Sequence, residues 1–178
     1  VSIVIPIYNE SESIELLIKE IITVMNSNNI NFELILVNDG SFDSTFRILN
    51  QLYSNIKELK VLNLRKNYGQ TAAMAAGFDY SEGEIIITLD GDLQNDPKDI
   101  PKLINTIKEG YDLVCGWRFD RKDKLISRRI PSKIANKLIG SVTGINLNDY
   151  GCSLKAFKKA IVKDIKLYGE LHRFLPIL

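Results

Sequence analysis

The sequence predicts an α/β protein in which a mostly parallel sheet carries helices on both faces. Segments rich in Val and Ile alternate with segments whose apolar residues recur at helical spacing, and the alternation continues to about residue 117. The Val/Ile-rich segments are apolar almost throughout, which is typical of strands buried on both faces. With 178 residues and 45% hydrophobic content, the chain can bury a sizeable core, and we expect one domain over residues 1–178.

Two strand–helix cycles open the chain. The first combines a strand from Ser2 to Tyr8 with a helix from about Ser13 to Asn26, and the second combines a strand from Phe32 to Asn38 with a helix that begins near Asp43. Each helix has its apolar residues on one face, as expected for a helix packed on a sheet. These residues are Ile14, Leu17, Ile18, Ile21, Ile22 and Met25 in the first helix, and Phe46, Leu49, Leu52, Tyr53 and Ile56 in the second.

The same alternation predicts five further elements before residue 118. They are a strand Leu59 to Leu64, an Ala-rich helix Thr71 to Tyr80, a strand Glu84 to Asp90, a helix near Asp99 to Glu109 and a fifth strand Tyr111 to Trp117. The pattern then changes. A charged loop is followed by a predicted helix from about Ser132 to Thr143 and a strand-like segment from Gly151 to Phe157.

Composition excludes several classes of protein. A formal net charge of +1 argues against general affinity for nucleic acid. We interpret Cys115 and Cys152 as reduced thiols, and a single histidine, His172, disfavours a zinc site. No apolar run reaches the roughly 18 residues that a membrane span requires. Because the chain starts without Met inside a strand-like run, we expect a domain cut from a longer protein.

Polar residues follow each of the first four predicted strands. Asp90-Gly91-Asp92 follows the fourth, and the others are followed by Tyr8-Asn9-Glu10, Asn38-Asp39-Gly40-Ser41 and Asn67-Tyr68-Gly69-Gln70. Because the carboxyl ends of parallel strands meet at one edge of a sheet, where open α/β sheets bind ligands, these clusters should converge. Two acids at such an edge suit Mg²⁺ or Mn²⁺, which take one or two carboxylates and complete their coordination with substrate phosphates.

Local structure offers another explanation for each cluster. Asn9 or Ser11 can cap the first helix, Ser41 or Asp43 can cap the second, and Asp-Gly-Asp is a common turn sequence. Capping alone leaves crowded carboxylates repelling one another, whereas a metal-bound diphosphate would neutralise them. Nicotinamide and P-loop sites are excluded, because residues 6–10 hold no Gly-rich turn and the chain has no Gly-Lys-Ser/Thr.

Four motifs stand at these strand ends: VIPIYNE at residues 4–10, VNDGS at 37–41, NYGQ at 67–70 and LDGDLQNDP at 89–97. Together they resemble the motifs of family 2 inverting glycosyltransferases, which have the GT-A fold, a Rossmann-like sheet that binds nucleotide-diphospho-sugars. Within that family the chain is most similar to the polyprenyl-phosphate glycosyltransferases. The similarity extends over residues 116–118, 128–132 and 169–174, and so covers nearly the whole chain.

The resemblance implies a division of the chain and roles for its residues. Residues 1–117 would bind the nucleotide sugar, and residues 118–178 would form the acceptor side. Asn38 departs from the family pattern because a second Asp is usual there, and Asn95 precedes Asp96-Pro97 where acid-Pro-Pro is frequent. The donor-binding residues would be Pro6, Tyr8, Glu10, Asp39, Asp90 and Asp92, and the ligands of Mg²⁺ or Mn²⁺ would be Asp90, Asp92 and Gln94.

The acceptor side is strongly basic, with eight Lys or Arg residues against two Asp between Arg118 and Lys137. Arginine grips phosphate oxygens with two N–H groups at once, and the resemblance assigns Arg118, Arg128 and Ser132 to an acceptor phosphate. A solvated basic surface is the alternative. Asp149 would act beside the acceptor as a base or orient the arginines, unless it only forms a loop turn. The residues expected to be catalytic are Asp92, Asp149 and Arg128.

The predicted function is metal-dependent, inverting transfer of a hexose from a UDP-hexose or GDP-mannose to a polyprenyl phosphate, undecaprenyl or dolichyl. A lipid phosphate is already anionic at neutral pH and needs positioning, whereas a sugar hydroxyl needs a general base. We expect a place at the cytoplasmic face of a membrane, in cell envelope biosynthesis, with anchoring helices after this domain. The alternatives are transfer to a hydroxyl of a polysaccharide or glycolipid, and a non-catalytic module that binds nucleotide sugars.

Overall fold

The structure, a computed structural model, describes residues 1–117, 149–162, 165 and 167–177. The predicted helix at 132–143 and three predicted acceptor residues, Arg118, Arg128 and Ser132, lie outside the described residues. The described helices and strands are β1 Ser2–Ile7, α1 Ile14–Ser27, β2 Glu33–Asn38, α2 Thr45–Tyr53, β3 Leu59–Asn63, α3 Gln70–Tyr80, β4 Ile85–Thr88, α4 Ile100–Lys108, β5 Leu113–Cys115, β6 Lys155–Lys158 and α5 Lys159–Val162, with 3₁₀ turns at Pro97–Asp99 and Leu171–Phe174.

The strands form one sheet in the order β3-β2-β1-β4-β6-β5. β1 pairs in parallel with both β2 and β4, and β2 pairs in parallel with β3. β6 is inserted between β4 and β5 and is antiparallel to both. The prediction of a mostly parallel sheet is therefore confirmed, and the late strand β6 interrupts it.

Alternate residues of each strand face opposite layers of helices, as the two-residue period of a strand requires. On β1, Ile3 and Ile5 belong to a core with α1, α2 and α4, while Val4 belongs to a second core with α3. All three side chains are fully buried. Both faces of the sheet are thus covered by helices, as the uniformly apolar strands predict.

Small residues allow α3 to pack tightly against the sheet. A Cβ on Gly77 would overlap the side chain of Val4 and lie 3.3 Å from Cγ2 of Val37. α3 begins directly after Gly69, whose φ of +93° lies in the left-handed region that favours glycine. The first residue of α3, Gln70, therefore lies at the carboxyl edge of the sheet.

Some elements differ from the predicted bounds. β4 ends at Thr88, two residues before the predicted end at Asp90, and the strand-like segment at 151–157 forms a strand only from Lys155. The reason is that β6 pairs with β4 over Ile85–Thr88 alone, after which Thr88 Oγ1 donates to the main-chain oxygen of Ser153 at 2.8 Å. Both cysteines are free, and no helix of the described residues has the length and apolarity to cross a bilayer.

Candidate active site

A cleft of about 330 Å³ opens at the carboxyl ends of β1, β2 and β4. All six predicted donor-binding residues line it: Pro6, Tyr8, Glu10, Asp39, Asp90 and Asp92. The remaining lining residues are Ile7, Asn67, Gly69, Gln70 and Gly91. Parallel strands end at this edge, so residues that are far apart in sequence reach a single cleft.

The loop after β1 is tied to the loop after β2. The Asn9 N–H donates to Ser41 Oγ at 2.9 Å, and Asn9 Oδ1 accepts from the Phe42 N–H at 3.0 Å. The Glu10 N–H donates to Thr45 Oγ1 at 2.9 Å. Asn9 has a φ of +57°, a conformation that Asn tolerates better than most residues. Asn9 and Ser41 therefore tie the two loops together rather than capping their own helices.

Asp39 is 2% exposed, and both of its carboxylate oxygens accept hydrogen bonds from the backbone. The Tyr68 N–H donates to Oδ1 at 2.7 Å and the Gly69 N–H donates to Oδ2 at 2.8 Å. Because hydrogen bonds to an ionised acceptor are among the stronger ones in proteins, Asp39 fixes the loop that leads into α3. Asp39, one of the predicted donor-binding residues, thus also shapes the wall of the cleft.

The contacts of the neighbouring Asn38 explain why this position suits an amide, although the family pattern usually has Asp here. Its Nδ2 donates to Asn63 Oδ1 at 3.1 Å, and its Oδ1 accepts from the Ser41 N–H at 3.1 Å. A carboxylate could not donate the first of these bonds. Asn38 is 4% exposed and joins the ends of β2 and β3.

Asp90 also lines the cleft, and its carboxylate interacts with side chains from other parts of the chain. Gln70 Nε2 donates to Oδ1 at 2.7 Å. Burial raises the pKa of Asp90, and the charge of Asp92 adds to this rise, while Ser153, Lys155 and Gln70 act in the opposite direction. A nearby positive charge would therefore stabilise the ionised form of the Asp90 carboxylate.

Asp92 is exposed at the mouth of the cleft, one glycine away from Asp90. Its Oδ1 accepts from the Gln94 N–H at 3.1 Å. Gln94 does not line the cleft. It lies in a neighbouring groove of about 530 Å³ between α1 and residues 93–98.

Gly91, between the two acids, packs closely against the side chains of Ile7 and Glu10. A Cβ on Gly91 would lie 2.9 Å from Cδ1 of Ile7 and 3.3 Å from Cγ of Glu10. Tyr8, which also lines the cleft, is 42% exposed and meets the ring of Phe42 edge to face, with ring centroids 6.1 Å apart. The cleft therefore combines an acidic end with an aromatic side, an arrangement suited to a phosphate-bound metal and a planar base.

Comparison with known proteins assigns this arrangement to a family. Residues 2–166 match the sequence profile of Glycosyl transferase family 2. The chain belongs to this family.

Two curated members of Glycosyl transferase family 2 resemble the chain along its whole length. It is 49% identical over 179 residues to dodecaprenyl-phosphate galacturonate synthase of Rhizobium johnstonii. The aligned region covers 98% of this chain and 52% of that protein. It is 44% identical over 179 residues to undecaprenyl-phosphate 4-deoxy-4-formamido-L-arabinose transferase of Photorhabdus laumondii, covering 100% of this chain and 55% of that protein. The chain spans about half the length of these relatives.

A solved structure agrees with the fold expected of a family 2 glycosyltransferase. The chain superposes with a TM-score of 0.70 on glucosyl-3-phosphoglycerate synthase of Mycobacterium tuberculosis, in complex with Mn²⁺ and UDP-glucose. The match covers 93% of this chain and 58% of that one at 19% sequence identity. At this identity the likeness establishes the GT-A fold alone, as the motifs predict.

The donor set of this family 2 cleft suits a divalent cation. In the ranges 1–117 and 149–177, as far as they are described, no three His, Cys, Asp or Glu side chains form a metal cluster. Asp90 and Asp92 nevertheless supply two hard oxygen ligands, and the charge of Asp92 helps to raise the pKa of Asp90. Mg²⁺ and Mn²⁺ are commonly held by two carboxylates together with substrate phosphates, so the residues fit such an ion.

Lys155 is a charged residue of the site that sequence reasoning missed. It is 4% exposed on β6, paired in register with Thr88 of β4 and Cys115 of β5. Its Nζ donates to the main-chain oxygen of Cys152. Burial lowers the pKa of Lys155, and the surrounding groups that raise it include Asp90 and Asp149. A lysine within the apolar segment 151–157 is the signal that would have identified it.

Asp149, predicted to act beside the acceptor, is 7% exposed and does not line the cleft. Its Oδ1 accepts from the Gly151 N–H at 3.1 Å, as in a turn formed by an Asp side chain. The charge of Asp149 acts to raise the pKa of Lys155. The turn-forming alternative is therefore present in the structure, and a role toward the acceptor stays a prediction.

Proposed function

We propose that this chain is the catalytic domain of a metal-dependent, inverting glycosyltransferase that moves a sugar from a nucleotide diphosphate sugar to a polyprenyl phosphate. The observation that carries the donor half is the cleft that Asp90 and Asp92 line together with Glu10 and Tyr8. The acceptor half is supported by two relatives whose names specify dodecaprenyl or undecaprenyl phosphate, at 49% and 44% identity.

In the donor complex, we place the nucleobase against the exposed ring of Tyr8 and the diphosphate near Asp90 and Asp92. Asp39 keeps the Tyr68–Gly69 wall in position through its two backbone hydrogen bonds. Glu10 is oriented by Ser13, whose Oγ donates to Glu10 Oε2 at 2.6 Å. When bound by Asp90 and Asp92, Mg²⁺ or Mn²⁺ would supply positive charge for the departing diphosphate. Gln94 would join them only if its side chain turned from the neighbouring groove.

The acceptor is a phosphate monoester in this proposal. One of its oxygens forms the new bond to the anomeric carbon, while the bond from that carbon to the nucleoside diphosphate breaks on the opposite face. Arg118, Arg128 and Ser132 would hold the acceptor phosphate, and Asp149 would orient the arginines. Such a lipid substrate places the protein at the cytoplasmic face of a membrane, where the basic segment 118–137 would meet anionic lipid.

The sugar itself needs a broad test. A hexose is the expectation from the sequence, whereas one of the relatives is named for an arabinose, which is a pentose. Donor binding should therefore be measured first, by calorimetric titration of the 178-residue chain with UDP, GDP and their sugar conjugates, with and without Mn²⁺. We expect one nucleotide to bind in a metal-dependent manner.

Two Asp→Asn variants make this titration specific. Asp92→Asn removes a cleft carboxylate and should abolish the Mn²⁺-dependent part of the affinity. Asp96→Asn changes an exposed Asp of the same loop, which does not line the cleft and accepts from the Lys98 N–H at 2.9 Å, and should bind like the wild type. Equal binding by both variants would contradict the assignment of the metal site.

The acceptor requires the full-length protein. We expect transfer to undecaprenyl phosphate and no transfer to hydroxyl acceptors, and Arg128→Ala should reduce transfer while leaving nucleotide binding intact. Turnover of a hydroxyl acceptor alone would favour a polysaccharide or glycolipid glycosyltransferase. Donor binding without any transfer would favour a non-catalytic module.

A further inference from the structure

The single histidine of the chain, His172, is hydrogen-bonded to the first turn of α3. Thr71 Oγ1 and His172 Nδ1 lie 2.6 Å apart, between residues 101 positions apart in the sequence. A hydroxyl can donate to a bare imidazole nitrogen or accept from an imidazole N–H, so the bond forms with either tautomer of the ring. Thr71 is 4% exposed, and the contact therefore lies inside the protein, directly behind the start of the donor cleft.

The segment that carries His172 is itself packed against α3. The 3₁₀ turn Leu171–Phe174 contacts this helix, and Leu175, which follows the turn, is buried in the second core with Ala73 and Met74 of α3. Apolar packing holds the segment against the helix without fixing a direction. The hydrogen bond supplies that direction, because it joins His172 to the first turn of α3.

The residue before Thr71 connects the same helical turn to the acids of the cleft. Gln70 is the first residue of α3, and it lines the cleft. Its Nε2 donates to Asp90 Oδ1 at 2.7 Å. The orientation of the Asp90 carboxylate therefore depends on where the first turn of α3 places Gln70.

Gln70 lies between two anchored neighbours. On one side, the Gly69 N–H donates to Asp39 Oδ2 at 2.8 Å. On the other side, the Thr71 hydroxyl is held by His172. The first contact fixes the backbone that enters the helix, and the second fixes the turn that follows, so the two together determine the position of the residue between them.

We propose that Thr71 and His172 are positioning residues for the donor cleft. By fixing the first turn of α3, they hold Gln70 in place to orient the Asp90 carboxylate, which would bind the divalent cation. The inference rests on the proposed function and adds two residues to it. Because His172 belongs to the part of the chain predicted to form the acceptor side, the pair also links that part to the donor cleft. Substitutions along such a chain of contacts change the affinity at a distant site by about 2- to 30-fold.

The first test is Thr71→Val, which removes the hydroxyl from a side chain of nearly the same shape. The variant is titrated with UDP and with GDP in the presence and absence of Mn²⁺. We expect the Mn²⁺-dependent gain in affinity for the nucleotide that binds to fall by about 2- to 30-fold. Thr71→Ser keeps the hydroxyl and should retain most of that gain.

The matched control is Ser81→Ala, which removes a buried hydroxyl from the other end of the same helix. Ser81 directly follows α3, is 3% exposed and donates its hydroxyl to the Gly77 main-chain oxygen at 2.8 Å. Because this contact lies away from the cleft, the control should bind nucleotide like the wild type. An equal loss in Ser81→Ala would show that any weakening of α3 reduces binding, and it would overturn the positioning role.

Double variants show whether the effect runs through the named contacts. His172→Leu should reduce the Mn²⁺-dependent gain about as much as Thr71→Val, and the variant with both changes should lose no more than either alone. His172→Asn, whose amide can take the place of Nδ1, should retain more of the gain than His172→Leu. In a Gln70→Met background, Thr71→Val should have little further effect, since the pair acts through Gln70.

The outcomes distinguish this inference from the proposed function. If the wild type binds neither nucleotide with Mn²⁺, the proposed function fails, and the inference fails with it. If the wild type binds and a folded Thr71→Val keeps the full Mn²⁺-dependent gain, only the positioning role is refuted. Additive losses in the double variant, or an undiminished effect in the Gln70→Met background, would also refute it. Thermal unfolding identifies folded variants, and if Thr71→Val does not fold, the comparison of His172→Leu with His172→Asn decides.

Discussion

Asp39→Asn provides a test of how the donor cleft is held together. Asp39 is 2% exposed, and its two oxygens accept from the N–H groups of Tyr68 and Gly69 at 2.7 and 2.8 Å. Asparagine keeps one acceptor oxygen and places an NH₂ group where the other was. One backbone N–H then faces a donor instead of an acceptor, at an almost fully buried position.

The expected loss of stability follows from these contacts. A hydrogen bond to a charged group contributes about 1.5–3 kcal/mol, and an unsatisfied buried donor costs about 1–3 kcal/mol. These contributions overlap, so we expect Asp39→Asn to lower the free energy of unfolding by about 2–4 kcal/mol. That loss is large beside the roughly 5–15 kcal/mol of total stability that is typical of a domain.

The assay is urea unfolding at pH 7 without nucleotide, so that donor binding does not contribute. Asp96→Asn is the control, because Asp96 is exposed, accepts from a single N–H, and occupies a cap position where Asn and Asp are about equal. We expect the control to stay within about 0.5 kcal/mol of wild type. If Asp39→Asn were equally stable, Asp39 would not hold the Tyr68–Gly69 loop, whatever its effect on nucleotide binding.

Two further predictions concern other parts of the fold. Gly91→Ala should lower the free energy of unfolding by about 1–3 kcal/mol and weaken nucleotide binding, because the new methyl would lie 2.9 Å from Ile7 Cδ1 and 3.3 Å from Glu10 Cγ. Urea unfolding and calorimetry measure both effects, and a variant that matches wild type in both would contradict the close packing. Burial raises the pKa of Glu33, but hydrogen bonds from Lys60, Ser2 and the Glu82 N–H outweigh it and lower this pKa from 4.5 to about 2. A lowered folded-state pKa stabilises the fold above the unfolded value, so Glu33→Gln should cost about 1–2 kcal/mol at pH 7, after allowance for solvent screening. The cost should disappear as the pH falls from 4.5 toward 2, and a difference in melting temperature that does not change with pH would refute the assignment.

The sequence by itself determined the alternating strands and helices and the polar clusters at the strand ends. The strand Ser2–Ile7 and the helix Ile14–Ser27 lie within one residue of their predicted bounds. Such features depend on neighbours along the chain, because periodicity identifies the buried face and parallel strands place their carboxyl ends together. The resemblance of the strand-end motifs to family 2 glycosyltransferases then supplied the six donor-binding candidates, and all of them line the cleft.

The tertiary structure alone decided which side chains support those candidates. Lys155 comes close enough to Asp90 to influence its pKa because β6 is antiparallel and pairs with the free edge of β4, which places Lys155 opposite Thr88. The bond from Asn9 to Ser41 likewise joins two loops that are separate in sequence. Pairing over such distances depends on which edge is open and on how the layers pack. Neither is visible in the periodicity or the turn residues of a single segment.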